Sequence, residues 1–206
     1  AHHAVLFAGG NGRLQNANAA NVLAVWAVRT PPTAYPQGTG RWLRKNQIIA
    51  TNLHYHPNGT ATTDRMKVGF YFGKGELKKE VATAVAGNVT FEIPPHATNY
   101  EMRGVYVADQ DISVVSFFPH MHLRGKAYRY ELVYPDQRHE VLLNVPRYDF
   151  NWQLHYKFRE PLAVPAGSVL TATGWFDNSS GNPANPDPTR KVGFGEQSFH
   201  EMQIGY

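Results

Sequence analysis

Cysteine is absent from the 206 residues. That removes disulfides, thiolate metal sites and cysteine nucleophiles together, and leaves the redox compartment open. Long apolar runs are missing as well. The longest, NVLAVWAV at 21–28, falls well short of the about 20 residues a helix needs to cross a bilayer, so no membrane span is expected. No signal peptide is visible, and because the chain opens abruptly on AHH an upstream segment is expected to have been removed. Charge is modest, at 17% charged residues and a net +4. Apart from KGELKK at 74–79 the basic residues are scattered, which gives nucleic acid no footprint. Helical periodicity is weak: only LKKEVATAV at 77–85 could hold a short helix, and it reads equally well as a strand.

What is present is alternation. MKVGFYF (66–72), RGVYV (103–107), DISVVSFF (111–118), AYRYELVY (127–134) and SVLTATGWF (168–176) are rich in Val, Tyr, Phe and Thr with a period of two. TPPTAYPQGTG (30–40) and DNSSGNPANPDPTR (177–190) carry several prolines, which cannot join a central ladder, and read as loops. Strands repeated at short intervals predict an all-β chain of antiparallel β-sandwich architecture. The polar, turn-forming GKGELKK stretch predicts a boundary between a first domain at 1–76 and a second at 77–206.

Ten histidines are a high count for this length, and their placement is more informative than their number. Residues i and i+2 of a strand share a face, so His120 and His122 of SFFPHMHLRGK (116–126) can converge on one ion. His54 and His56 of NLHYHPNG (52–59) repeat the spacing. The adjacent His2 and His3 would diverge on a regular strand and meet one metal only where the backbone twists or bulges. His96, His139, His155 and His200 have no partner at ligand spacing and read as structural or surface residues. A lone strand histidine is more often hydrogen-bonded than ligating, and AHH could equally be a tag remnant. A cupin-type site is excluded, since Lys126 and Thr60 stand where its acid would follow each pair. The donors on offer are imidazole and thioether; imidazole suits zinc as well as copper, and a thioether favours Cu(I). The residues alone leave both metals open.

Taken in order, AHHAVLFAGG, LHYHPNG, FFPHMHLRGK and GEQSFHEMQIGY resemble the ascorbate-dependent type II copper monooxygenases, the family of peptidylglycine α-hydroxylating monooxygenase and dopamine β-monooxygenase, and its bacterial members in particular. The resemblance spans nearly the whole chain. It implies two jelly-roll-like β-sandwich domains and two copper ions, with ascorbate or another one-electron reductant and dioxygen as co-substrates. His2, His3 and His54 match an all-imidazole electron-transfer copper. His120, His122 and Met202 match the copper that activates dioxygen, and so carry the catalytic role. His56 is not a ligand in relatives that have it. A small organic or peptide-like substrate would be hydroxylated at a C–H bond, in a periplasmic or extracellular setting and with a possible electron-donor partner.

The likeness also has gaps. Where the peptide-amidating enzymes hold a carboxylate with arginine and asparagine, this chain has Phe118 and Ile204; the tyrosine that accompanies them is kept as Tyr206. A phenyl ring cannot pair with a carboxylate, so glycine-extended peptides are not the expected substrate. Tyr206 and Arg124 remain candidate substrate-binding residues, and Asn52 stands where a glutamine lies near the first copper. The first domain is expected to be incomplete, because the family segment preceding the HH pair is absent. Two other readings compete: a non-catalytic copper-binding or electron-transfer module, and a ligand-binding sandwich with incidental histidines.

Overall fold

The computed structural model describes residues 3–9, 21–27, 30–55 and 59–206. The chain is all-β, and among the described residues there is no α-helix. It divides into two compact units, 1–83 and 84–206.

The first unit contains β1 (His3–Gly9), β2 (Val22–Ala27), β3 (Thr39–Gly40), β4 (Ile48–His54) and β5 (Lys79–Glu80). An antiparallel sheet runs β2-β1-β4, and β3 pairs with β5 in parallel. The alternating stretch 66–72, expected as a strand, forms none. No described strand lies beside it, so its alternation buries nothing: Tyr71 is 99% exposed and Phe70 and Phe72 also face solvent. Of the ambiguous 77–85 stretch, only the two residues of β5 become strand.

The second unit is built from β6 (Ala86–Asn88), β7 (Glu92–Ile93), β8 (Tyr100–Val107), β9 (Ile112–Phe117), β10 (Pro119–His120) and β11 (Gly125–Val133). They are followed by β12 (His139–Val145), β13 (Tyr156–Val164), β14 (Val169–Phe176), β15 (Val192–Gly193) and β16 (Gln203–Gly205). A four-stranded antiparallel sheet runs β12-β11-β14-β8, and smaller sheets run β10-β16-β6, β13-β9 and β15-β7. Strands expected at 103–107, 111–118, 127–134 and 168–176 correspond to β8, β9, β11 and β14.

Tyr128, Tyr130 and Leu132 alternate along β11 and are fully buried, as are Ala172 and Phe176 of β14. Phe117 of β9 stacks on Tyr130 with ring centroids 4.1 Å apart. The small sheet β10-β16-β6 packs on this core through one face only. Gln203 of β16 donates from Nε2 to the Tyr128 hydroxyl and to the Ala172 carbonyl, each at 2.9 Å. Ala86 of β6 and Met121, just after β10, join the same core.

The two layers touch at Gly104 of β8. A Cβ there would lie 2.5 Å from the Gly87 backbone of β6, closer than any side chain can sit. Gly104→Ala should therefore push the sheets apart at a cost of about 1–3 kcal/mol, read as a lower midpoint in chemical denaturation.

Candidate metal centre

β10 and β16 pair with His120 opposite Ile204 and Pro119 opposite Gly205. Phe118 and Tyr206 exchange backbone N–H···O=C bonds of 2.9 and 3.1 Å. Directly opposed residues project to one face, so Phe118, His120, Ile204 and Tyr206 share it. Along 201–206 burial alternates: Glu201, Gln203 and Gly205 point inward, while Met202, Ile204 and Tyr206 are half-buried on the other side. Continuing the register by one more pair sets Met202 opposite His122.

That pair does not close as a ladder. Regular strand ends at His120, and the Glu201 carboxylate enters where backbone partners would stand. It accepts the His122 N–H at 2.8 Å and the Arg124 N–H at 2.6 Å, and also the Met202 N–H. On the other edge, the Tyr148 hydroxyl accepts the Met121 N–H at 3.0 Å and donates to the Met121 carbonyl at 2.6 Å. Two side chains thus hold the histidine segment in an extended course beyond its strand.

The rings of His120 and His122 are buried, with centroids 5.2 Å apart and planes at 86°. Their tautomers follow from their partners. The buried amide of Gln153 donates from Nε2 to the Phe150 carbonyl at 2.9 Å, so its oxygen end faces His120 Nδ1 at 2.7 Å. An oxygen acceptor there requires the proton on Nδ1 and leaves the Nε2 lone pair for a metal. His122 Nδ1 faces the His200 carbonyl at 3.2 Å, with the same consequence.

In the first unit, β1 and β4 pair His3 directly with His54. Their ring centroids lie 4.1 Å apart at 38°. Asn52 is two residues from His54 on the same exposed edge of the ladder. His2 and His56 lie outside the described residues.

With metal–nitrogen bonds of about 2.0 Å, two imidazoles on one ion keep their centroids within roughly 6 Å; both histidine pairs meet this. Among the described residues no three His, Asp or Glu side chains gather as metal donors. Neither pair by itself completes a metal donor set. Neutral imidazoles with a thioether fit a soft first-row ion and leave hard cations without oxygen ligands.

Arg124, a candidate substrate contact or surface arginine from the sequence, is not on the surface. It is 2% exposed, donating from Nε to Asn178 Oδ1 at 2.8 Å and from Nη1 to the Phe199 carbonyl at 3.0 Å. The chain turns at 123–124, so the i+2 rule that put Arg124 beside the histidines no longer holds. Burial lowers the guanidinium's pKa, while the Glu201 and Asp187 carboxylates act to raise it. Burial pushes the Glu201 carboxyl up to about 8, against the lowering effect of its three N–H donors and of Arg124. Tyr206 is likewise pushed up to about 12 by burial, so its hydroxyl stays protonated at neutral pH.

Sequence reasoning missed Gln153, Tyr148 and Glu201. Only Glu201, next to Met202, lay near a motif; the other two sit in a loop without any distinguishing pattern.

The family described as copper type II ascorbate-dependent monooxygenase, C-terminal domain, matches residues 80–204. No curated protein matches the chain.

Gln153→Leu should weaken metal binding at the His120–His122 pair by about 10–100-fold with little change in unfolding midpoint; competition with a chelator reads it. Glu201→Gln turns a donor toward backbone N–H groups and should cost on the order of 3 kcal/mol, measured by chemical denaturation.

Proposed function

Because the chain belongs to the copper type II ascorbate-dependent monooxygenase family, matched over more than half its length, we propose that it hydroxylates a C–H bond of a small organic or peptide-like substrate. Dioxygen and a reductant such as ascorbate are the co-substrates. R–H, dioxygen, two electrons and two protons give R–OH and water, the electrons coming from ascorbate. The observation that carries this reading is the buried His120–His122 pair, with ring centroids 5.2 Å apart, inside the matched span.

His120, His122 and Met202 would hold one copper, and His2, His3 and His54 the other. Bound copper supplies one-electron transfer and activation of dioxygen. The protein's own share is positional. Gln153 and the His200 carbonyl hold the Nδ1 protons and orient both rings. Exchange of an imidazole for the Met202 thioether favours Cu(I), the state that meets dioxygen. At the other site an all-imidazole set serves both oxidation states. Phe118 and Tyr206 border the first of these sites, with ring centroids 6.1 Å apart.

We place the protein outside the cytoplasm, in the periplasm or extracellular space, where family members are generally found; among the described residues no helix is long and apolar enough to cross a membrane. A second reading, a non-catalytic copper or electron-transfer module, draws support from the burial of Arg124, whose guanidinium is engaged by Asn178 and the Phe199 carbonyl. The two readings separate on product: the module binds two coppers and cycles between redox states without consuming dioxygen productively.

The copper-loaded chain should bind two coppers and consume dioxygen with ascorbate when substrate is present. Met202→Ile should remove Cu(I) from one site, leave the other filled, and lower ascorbate-driven oxygen uptake by at least about tenfold. Metal analysis under reducing conditions and an oxygen electrode check both. Native zinc, or unchanged uptake in the variant, would overturn the oxidative reading.

A further inference from the structure

We propose that the outer face of the β10-β16-β6 sheet binds an uncharged, apolar or aromatic small molecule and rejects anions and cations. The proposal names the substrate class for the monooxygenase reading and rests on that reading for its reaction, but not for the binding.

The face is defined by register. Ile204 of β16 pairs with His120 on one side and with Gly87 of β6 on the other. Val85 joins this side, since a Cβ at Gly87 would meet its Cγ1 at 3.1 Å while Ala86 between them is in the core. Phe118 and Tyr206 complete it at the end where β10 and β16 exchange backbone hydrogen bonds. Apart from the two imidazoles, the polar group on this face is the Tyr206 hydroxyl; no position in the set carries a formal charge. Arg124, the nearest cation in sequence, is turned inward and hydrogen-bonded to Asn178 and Phe199.

The two sides of the small sheet differ. On β10 the side chains are buried, and the His155 ring lies over Phe118 at 4.5 Å. On β16 and β6 they are less covered: Ile204, Tyr206, Val85 and Gly87 are half-buried. With glycine at 87 the Val85 side chain lies close over the strand, since a Cβ there would meet Val85 Cγ1 at 3.1 Å. An apolar floor thus lies beside the imidazoles, buried on its β10 side.

Its size selects the occupant. Three strands at about 4.8 Å spacing and five residues of about 3.3 Å rise cover on the order of 200 Å², far less than the about 800 Å² per partner of a stable protein interface. A small molecule fits; a protein does not. Setting an unpaired carboxylate or ammonium on this floor would strip its water with nothing to replace it.

Three naphthalene probes of one shape and different charge test this on the full chain: 1-naphthalenemethanol, 1-naphthoate and 1-naphthylmethylammonium. Equilibrium dialysis against metal-free and copper-loaded protein should show saturable binding of the alcohol, at least about tenfold tighter than either ion. Ile204→Glu should weaken the alcohol by at least about tenfold, while Ile204→Leu keeps it; Val85→Glu repeats the loss from the neighbouring strand. Unfolding midpoints confirm that each variant is folded. Equal or tighter binding of an ion, no saturation by the alcohol, or indifference to both Glu variants would overturn the proposal. Alcohol binding to a chain that fails to take up copper would sink the monooxygenase reading and leave the apolar site standing.

Discussion

The Glu201 carboxylate occupies the place where the β10–β16 ladder would close. A buried backbone that leaves its ladder must find other partners for its N–H and C=O groups, or lose free energy comparable to a hydrogen bond at each. Here the carboxylate takes up the N–H groups of His122, Arg124 and Met202, and Tyr148 takes up both polar groups of Met121. The segment with the two imidazoles is thereby fixed without a regular strand, and the candidate thioether is tied to the same carboxylate. Ionising a carboxyl so deeply buried is costly, and burial raises its pKa to about 8. The nearby Arg124 guanidinium and the converging N–H dipoles offset part of that cost, which explains why an arginine is spent in the interior.

A division of labour within one three-stranded sheet follows. Period-two alternation sends Gln203, Gly205, Ala86 and Met121 into the core and the alternate side chains to the opposite face. Gln203 anchors the sheet through two hydrogen bonds to the four-stranded layer. The opposite face therefore needs no charged group of its own to stay in place, and it can remain apolar around its imidazoles. The rings follow the same logic: each Nδ1 proton is held by an oxygen acceptor from elsewhere in the unit, which fixes the tautomer.

Much of the fold was legible because it depends on local alternation. The segments that became β8, β9, β11 and β14 showed the pattern, and each found a neighbour that could bury one of its faces. The segment 66–72 has the same pattern and no described neighbour, so its apolar side chains stay in solvent; alternation predicts which residues share a face, not whether a partner exists. The i+2 spacing put His120 beside His122, and the family resemblance put His3 near His54; the rings of each pair lie close together. Arg124 did not follow, because the turn at 123–124 ends the extended geometry on which the i+2 rule rests.

By itself the sequence determined that this chain would build sheets, and that imidazole and thioether would be its soft donors, since period and side-chain chemistry are properties of the residues alone. Tertiary structure alone decided which ring nitrogen carries the proton, where Arg124 points, and what holds the histidine segment beyond its strand. Those outcomes depend on contacts such as Gln153 to His120 and Glu201 to His122, 33 and 79 positions apart, and groups so far apart along the chain act on one another only once folding has closed the distance between them.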